Sequence, residues 1–157
     1  MTIKLIMALA MLALSGCSGL AFWQDASPLQ VVVNIDAANN INPNIDGLAS
    51  PLEVRIYQLQ DSEAFSQASF IDLYSDDQGV LKAGLLSKRN LDSVLPNEKR
   101  QVVLPLIAET KYVGVVAAFA DYREAKNKAF VQIMAGQPVV IDAKFDGVNV
   151  SITGQED

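Results

Sequence analysis

The segment from Leu52 to Leu59 sets the first limit on the fold, because its apolar residues recur at every second position. Leu52, Val54 and Ile56 alternate with Glu53, Arg55 and Tyr57, a period of two that sends one set of side chains into a core and the other out of it. Leu29, Val31, Val33 and Ile35 repeat the pattern, with Gln30, Asn34 and Asp36 on the opposite face beside Val32. Val102, Leu104 and Leu106 alternate within Gln101–Ala108, and further strands are expected at 129–134, 139–145 and 148–153. Within 111–122, the run Tyr112–Phe119 is apolar enough to be buried on both faces. Pro105 has no N–H for a ladder, so its strand belongs at a sheet edge or carries a bulge. Asp146-Gly147 lies between two alternating runs and predicts a type I′ hairpin, with positive φ at both central residues.

The period changes after Leu59. From Asp61 to Ser75, Phe65, Phe70, Leu73 and Tyr74 fit one helical face, with Asp61 or Ser62 as cap. Val80 to Asn90 reads as a second, weaker helical stretch through Leu81, Leu85 and Leu86, and residues 91–100 as a polar connection through Pro96-Asn97. The expected fold is mainly β: an antiparallel β-sandwich of about seven strands, with a short helical insertion between the second and third. The domain is expected over residues 29–153, the insertion over about 61–90, and a frayed tail over 154–157.

The chain start carries a different kind of information. Lys4 precedes ten apolar residues, Leu5–Leu14, and then Leu14-Ser15-Gly16-Cys17. A positive n-region, a short apolar h-region and small residues make a secretory signal over residues 1–16. As a helix the apolar run would reach about 15 Å, roughly half a bilayer's hydrocarbon core. The Leu-Ser-Gly-Cys ending resembles the lipobox of bacterial lipoproteins. That resemblance implies cleavage before Cys17, diacylglycerol on its thiol and an N-acyl chain on its amine, enough acyl chains for stable anchoring. Ser18 stands where inner-membrane retention usually shows Asp, which implies the periplasmic face of the outer membrane. Residues 17–28 read as a lipidated tether in which Phe22 and Trp23 either rest at the membrane interface or pack on the domain edge.

Cutting 16 residues from 157 leaves 141, the size of one domain. The signal holds only Lys4 among charged residues, so the mature part keeps 11 basic and 18 acidic side chains. An acidic surface of this kind opposes nucleic-acid binding and docking on anionic lipid. The chain has no histidine, and its single cysteine is the one that the lipobox resemblance implies is lipidated. Ser-His-Asp and Cys-His nucleophilic chemistry and the usual zinc ligand sets are therefore excluded, and no phosphate-binding glycine motif occurs. The remaining carboxylate pairs are Asp61 with Glu63, Asp76 with Asp77, and Asp142 with Asp146; their polar contexts read as turns, caps or solvated strand faces. Neither catalytic residues nor a metal or separate cofactor is expected.

Between the first two strands lies Ala37–Ser50, a connection with four asparagines, a proline and a glycine. It is longer than a hairpin needs. Its apolar residues Ile41, Ile45 and Leu48 are either contacts for a partner or pegs that pin the loop to its own core.

These pieces occur in a telling order: the Asn-rich loop, then Pro51-Leu52-Glu53-Val54-Arg55-Ile56-Tyr57-Gln58-Leu59, then Phe65 and Ala68–Tyr74, then Lys111–Phe119. Behind a lipobox, the set resembles the outer-membrane lipoprotein of type VI secretion systems, the TssJ (VasD) family. The resemblance implies a transthyretin-like sandwich and a non-enzymatic role holding the periplasmic domain of the inner-membrane protein TssM, within a TssJ–TssL–TssM complex. It also implies that the partner is met by the loop between the first two strands, here Asn39, Asn40, Ile41, Asn42, Pro43, Asn44, Ile45, Asp46, Gly47 and Leu48. Arg55 and Tyr57 are expected to be structural. A lipoprotein holding a small ligand in a sandwich cleft is the alternative.

Overall fold

The computed structural model describes residues 29–134 and 136–154. The signal, Cys17, the tether with Phe22 and Trp23, and the last three residues lie outside the described residues. Two four-stranded sheets face each other. The first has the order β4-β1-β7-β8, from Lys99–Pro105, Gln30–Ala37, Val139–Asp146 and Asn149–Gly154. The second has the order β3-β2-β5-β6, from Leu85–Asn90, Glu53–Leu59, Tyr112–Ala118 and Lys128–Gln132. Val31, Val33 and Ile35 of β1 and Ile141, Ala143 and Phe145 of β7 meet Val54, Ile56, Val113, Val115 and Ala117 in the buried space between the sheets. The alternating residues of β1 and β7 thus occupy the positions their period demands.

The second sheet is buried on its outer face as well, which explains the near-continuous apolar run of β5. Helices α1 (Glu63–Gln67) and α2 (Phe70–Leu81) lie over it, and Phe65, Leu73 and Leu81 pack on Tyr57, Leu59 and Val116. Gly114 makes the fit possible, because a Cβ there would sit 2.8 Å from Cζ of Phe65. Lys128 closes α1 by donating from Nζ to the carbonyls of Phe65 (2.7 Å), Ser66 (2.8 Å) and Ala68. These are carbonyls that a helix end leaves without intrahelical partners. Burial pushes the Lys128 amine below its ordinary range.

The sandwich and its inserted helices agree with the sequence pattern, and five local features differ from it. Residues 85–90 form β3, not the end of a helical stretch. Lys82, with φ 49°, ends α2; a single 3-10 turn at Lys82–Gly84 follows, and the chain then pairs antiparallel with β2 from Arg55↔Asn90 to Leu59↔Leu85. The helical face is split: Ser62 stands at the N-cap of α1, as expected, though without a side-chain cap bond, and α2 has a cap of its own, Ser69. Ser69 Oγ accepts from the Asp72 amide at 3.2 Å, and Asp72 accepts from the Ser69 amide in return. β1 and β7 run parallel, Val31↔Val139 to Ala37↔Phe145, inside otherwise antiparallel sheets. The β7–β8 hairpin turns on Gly147 and Val148, with positive φ at Gly147 alone, as in a type II′ turn. Gly154, expected to fray, pairs with Ile141 at the end of β8. Pro105 ends the edge strand β4, where its missing N–H costs no ladder bond.

Candidate functional site

Strand directions sort the connections onto two poles. β1 runs from Leu29 toward the loop 38–52, and its partners bring 91–98, 119–127 and the 147–148 hairpin to that same pole. The chain enters at the other pole, beside 106–111 and 133–138. Eight strand residues at about 3.3 Å each separate the two by about 25 Å.

The loop between β1 and β2 has a buried base and a projecting tip. Ile41 is fully buried in the main core, a peg. Asn42 is also buried, with φ 47°. Its side chain donates to Pro51 O at 2.8 Å and accepts from the Ala120 amide at 2.7 Å, and its amide donates to Gly147 O at 2.8 Å, so it ties the two ends of its own loop to 119–127 and to the 147–148 hairpin. Asn40 donates to Asp146 at 2.8 Å and accepts from the Gly147 amide at 3.2 Å. Asn39 is exposed and Pro43 half-buried at the junction of base and tip.

From Asn44 onward the loop holds itself. Asn44 Oδ1 accepts from the amides of Asp46 and Leu48, both at 2.9 Å. The Asn44 amide donates to Leu48 O at 2.8 Å and Gly47 returns a bond to Asn44 O at 2.9 Å, with Gly47 at φ 77°. Short polar side chains that satisfy nearby backbone groups are the usual way to fix such a turn. The result is a closed knuckle with Ile45 100% exposed and Leu48 65% exposed. The three apolar residues therefore divide: one pins the loop and two are offered to solvent.

Leu95, 51% exposed, joins them on the same pole. Its loop is held against the base by the reciprocal backbone bonds of Leu52 and Val94, both 2.9 Å, and by Asn97 N to Ala38 O at 3.2 Å. Sequence reasoning passed over Leu95; the available signal was a lone leucine before Pro96 in an otherwise polar connection. Around these side chains the pole carries Asp46, Asp92, Glu98, Asp121 and Glu124 against Arg123 and Lys126.

The candidate carboxylate pairs do not converge. Asp76 has non-helical backbone inside α2 (φ −150°, ψ 66°) and accepts from the Gly79 amide at 3.0 Å, so the expected turn is a kink within a helix. Asp77 is buried and works apart from it. Tyr57 donates to it at 3.1 Å, Lys88 Nζ lies 2.7 Å from it, and Arg55 stands 3.7 Å away. Burial pushes the Asp77 carboxyl up, but Lys88, Tyr57 and Arg55 together outweigh it and hold it below the usual carboxylate range. Burial next to Asp77 drives the Tyr57 hydroxyl well above its ordinary range. Arg55 also bonds Glu53 and lies 4.4 Å over the Tyr74 ring. Arg55 and Tyr57 thus seat α2 on the sheet. Asp142 accepts from Asn34 at 2.8 Å on a sheet face, while Asp146 serves Asn40 at the pole. Among the described residues no group of His, Cys, Asp and Glu is arranged to hold a metal.

The sequence profile of the type VI secretion lipoproteins (VasD, EvfM, TssJ) matches residues 29–154. The solved T6SS lipoprotein TssJ1 from Pseudomonas aeruginosa is 27% identical with a TM-score of 0.76, over 83% of this chain and 98% of that one. Lip from Serratia marcescens, a membrane-bound component of the type VI secretion system, is 17% identical with a TM-score of 0.70, over 83% and 99%. A chain in the structure of the T6SS protein TssM C-terminal domain from EAEC is 22% identical with a TM-score of 0.60, over 79% and 97%. No curated protein sequence matches the chain.

Proposed function

The chain belongs to the type VI secretion lipoprotein family, and from that premise we propose that it ties an inner-membrane partner to the outer membrane. Members of this family are structural components of the secretion membrane complex, not enzymes. In this reading diacylglycerol and an N-acyl chain on Cys17 hold the protein on the periplasmic face of the outer membrane. The loop pole binds the periplasmic domain of a TssM-like protein, in a complex that also contains a TssL-like subunit.

The observation that carries the reading is the placement of the knuckle. Ile45 is wholly exposed on a self-bonded turn, at the end of β1 opposite the point where the tether enters. A load carried between two membranes runs along the length of the sandwich in that arrangement. Apolar side chains held out on a preformed turn cost little ordering on binding and suit pockets in a partner. The acidic surroundings favour a partner with a basic rim and an association that slows as salt rises. The cleft reading has less support, because Ile41, Ile56, Val115, Phe145 and their neighbours fill the space between the sheets.

A photo-reactive residue in place of Ile45 is expected to capture the TssM-like periplasmic domain in cells, and one in place of Thr153 on the far sheet face to capture none of it. Capture from both positions or from neither would remove the assignment. Cys17→Ser is expected to leave a soluble domain that still binds the partner while secretion is lost; wild-type secretion from that variant would remove the anchor from the account.

A further inference from the structure

The dipeptide Asp-Gly occurs twice in the chain, at 46–47 and at 146–147. Both copies sit at the loop pole, both aspartates are exposed, and both glycines have positive φ, 77° at Gly47 and 58° at Gly147. Their surroundings are opposite. At the hairpin, Asn40 holds both halves of the dipeptide: its Nδ2 donates to the Asp146 carboxylate at 2.8 Å, and its Oδ1 accepts from the Gly147 amide at 3.2 Å. Gly147 O is fixed in turn by the Asn42 amide at 2.8 Å, and Asp146 pairs with Asn149 at the end of the β7–β8 ladder. At the knuckle the Asp46 carboxylate has no partner among the described residues, and nothing lies within 4 Å of where a Cβ on Gly47 would stand. The Gly47 amide is held by a single bond, to Asn44 O at 2.9 Å.

We propose that Asp46-Gly47 is a site of backbone isomerisation, and that Asn40 withholds the same reaction from Asp146-Gly147. The Gly47 nitrogen bonds to Cγ of the Asp46 carboxyl in its acid form, and the amide proton leaves with the carboxyl OH as water. The product is a five-membered succinimide, which water then opens. Addition at Cγ breaks the new bond and restores aspartate; addition at the Asp46 backbone carbonyl breaks the old peptide bond and leaves isoaspartate. One water is lost and one regained, so mass and charge are unchanged. Glycine suits the step because no Cβ hinders its nitrogen. Two conditions remain, a carboxyl free to turn onto the following amide and an amide released from its acceptor. Asp46 meets the first outright. The second needs only the opening of an exposed turn, at the low end of local opening free energies. At Asp146 one side chain blocks both, and release means opening the end of a ladder. Isoaspartate adds a methylene to the main chain at 46, between the two amides that Asn44 Oδ1 accepts from, so the bonds that close the knuckle fall out of register. The chemistry stands apart from the partner reading; a fall in partner affinity with age is the one consequence that rests on it.

The test keeps the full protein in detergent micelles at neutral pH for several weeks, folded or in concentrated urea. Isoaspartate is then located by peptide mapping with an isoaspartyl methyltransferase, a readout that needs no partner. In the folded protein isoaspartate should gather at 46 several-fold faster than at 146. In urea the two sites should react at similar rates, since each Asp-Gly follows a bulky apolar residue, Ile45 or Phe145. Asn40→Ala, and separately the milder Asn40→Ser, should raise the rate at 146 in the folded protein several-fold and leave the rate at 46 as it was, with the far-ultraviolet circular dichroism of the sheets unchanged. Equal rates at the two sites in the folded parent, or no isoaspartate at 46, would overturn the proposal. So would a site at 146 that stays inert in both folded Asn40 variants.

Discussion

Two long connections leave β2, one from each end, and they are held by different forces. The insertion between β2 and β3 returns to the sheet and buries Phe65, Leu73 and Leu81, so it is fixed by a core of its own. The loop between β1 and β2 buries only Ile41 of its three apolar residues and fixes the remainder with asparagine side chains and backbone bonds. Burial uses up the apolar surface that does the holding. Hydrogen bonding leaves it available, and Ile45 and Leu48 remain free to meet another molecule. The first connection is therefore scaffold and the second is suited to contact.

The contrast can be broken at either end, beginning where the loss of stability is greatest. Phe65→Ala removes a fully buried ring from contact with Tyr57, Phe130 and Gly114. It should cost about 3–5 kcal/mol in a denaturant titration while the folded fraction binds the partner as before. Asp77→Asn leaves Lys88 and Arg55 without their carboxylate and should cost about 2 kcal/mol at neutral pH. The parent carboxyl is held below the ordinary carboxylate value of 3.8, so its contribution is complete above about pH 5 and fades as pH falls through the folded-state value. Acid melting curves should accordingly be shallower in Asp77→Asn than in the parent between neutral pH and about pH 3. Equal slopes would mean that Asp77 is not the acid-sensitive group.

Much of this division was legible in the sequence, and the part that was not depended on distant partners. Alternation located β1, β2 and β7, and Pro105 narrowed β4 to an edge or a bulged strand, because both are properties of a strand's own residues. The spacing of Leu81 and Leu85 imitates a helix; only the pairing of residues 85–90 with β2 makes them a strand. The parallel β1–β7 pair is likewise invisible to a local pattern, since it joins residues more than a hundred positions apart. In the loop, Ile41 and Ile45 are the same residue four positions apart with opposite fates. Their difference is set at Asn42, whose partners are Pro51 O and the Ala120 amide. No feature of the loop's composition names those partners.

Asn44→Ala tests the hydrogen-bonded side of the contrast more gently. It removes the acceptor of two backbone amides in an exposed turn, so global stability should fall by no more than about 1 kcal/mol. Hydrogen exchange at Asp46 and Leu48 should quicken, and partner affinity should drop several-fold because the knuckle must then be ordered on binding. Unchanged exchange at those amides would show that Asn44 does not hold the tip.

The most direct measurement is a titration of the partner's periplasmic domain with the Ile45→Asp, Leu48→Asp double variant. Both side chains are exposed, so stability should stay within about 0.5 kcal/mol of the parent. The dissociation constant should nevertheless rise at least about 30-fold, the loss of one or more apolar anchors of about 2 kcal/mol each. An unchanged dissociation constant in a protein of parental stability would contradict the assignment of the loop pole as the contact.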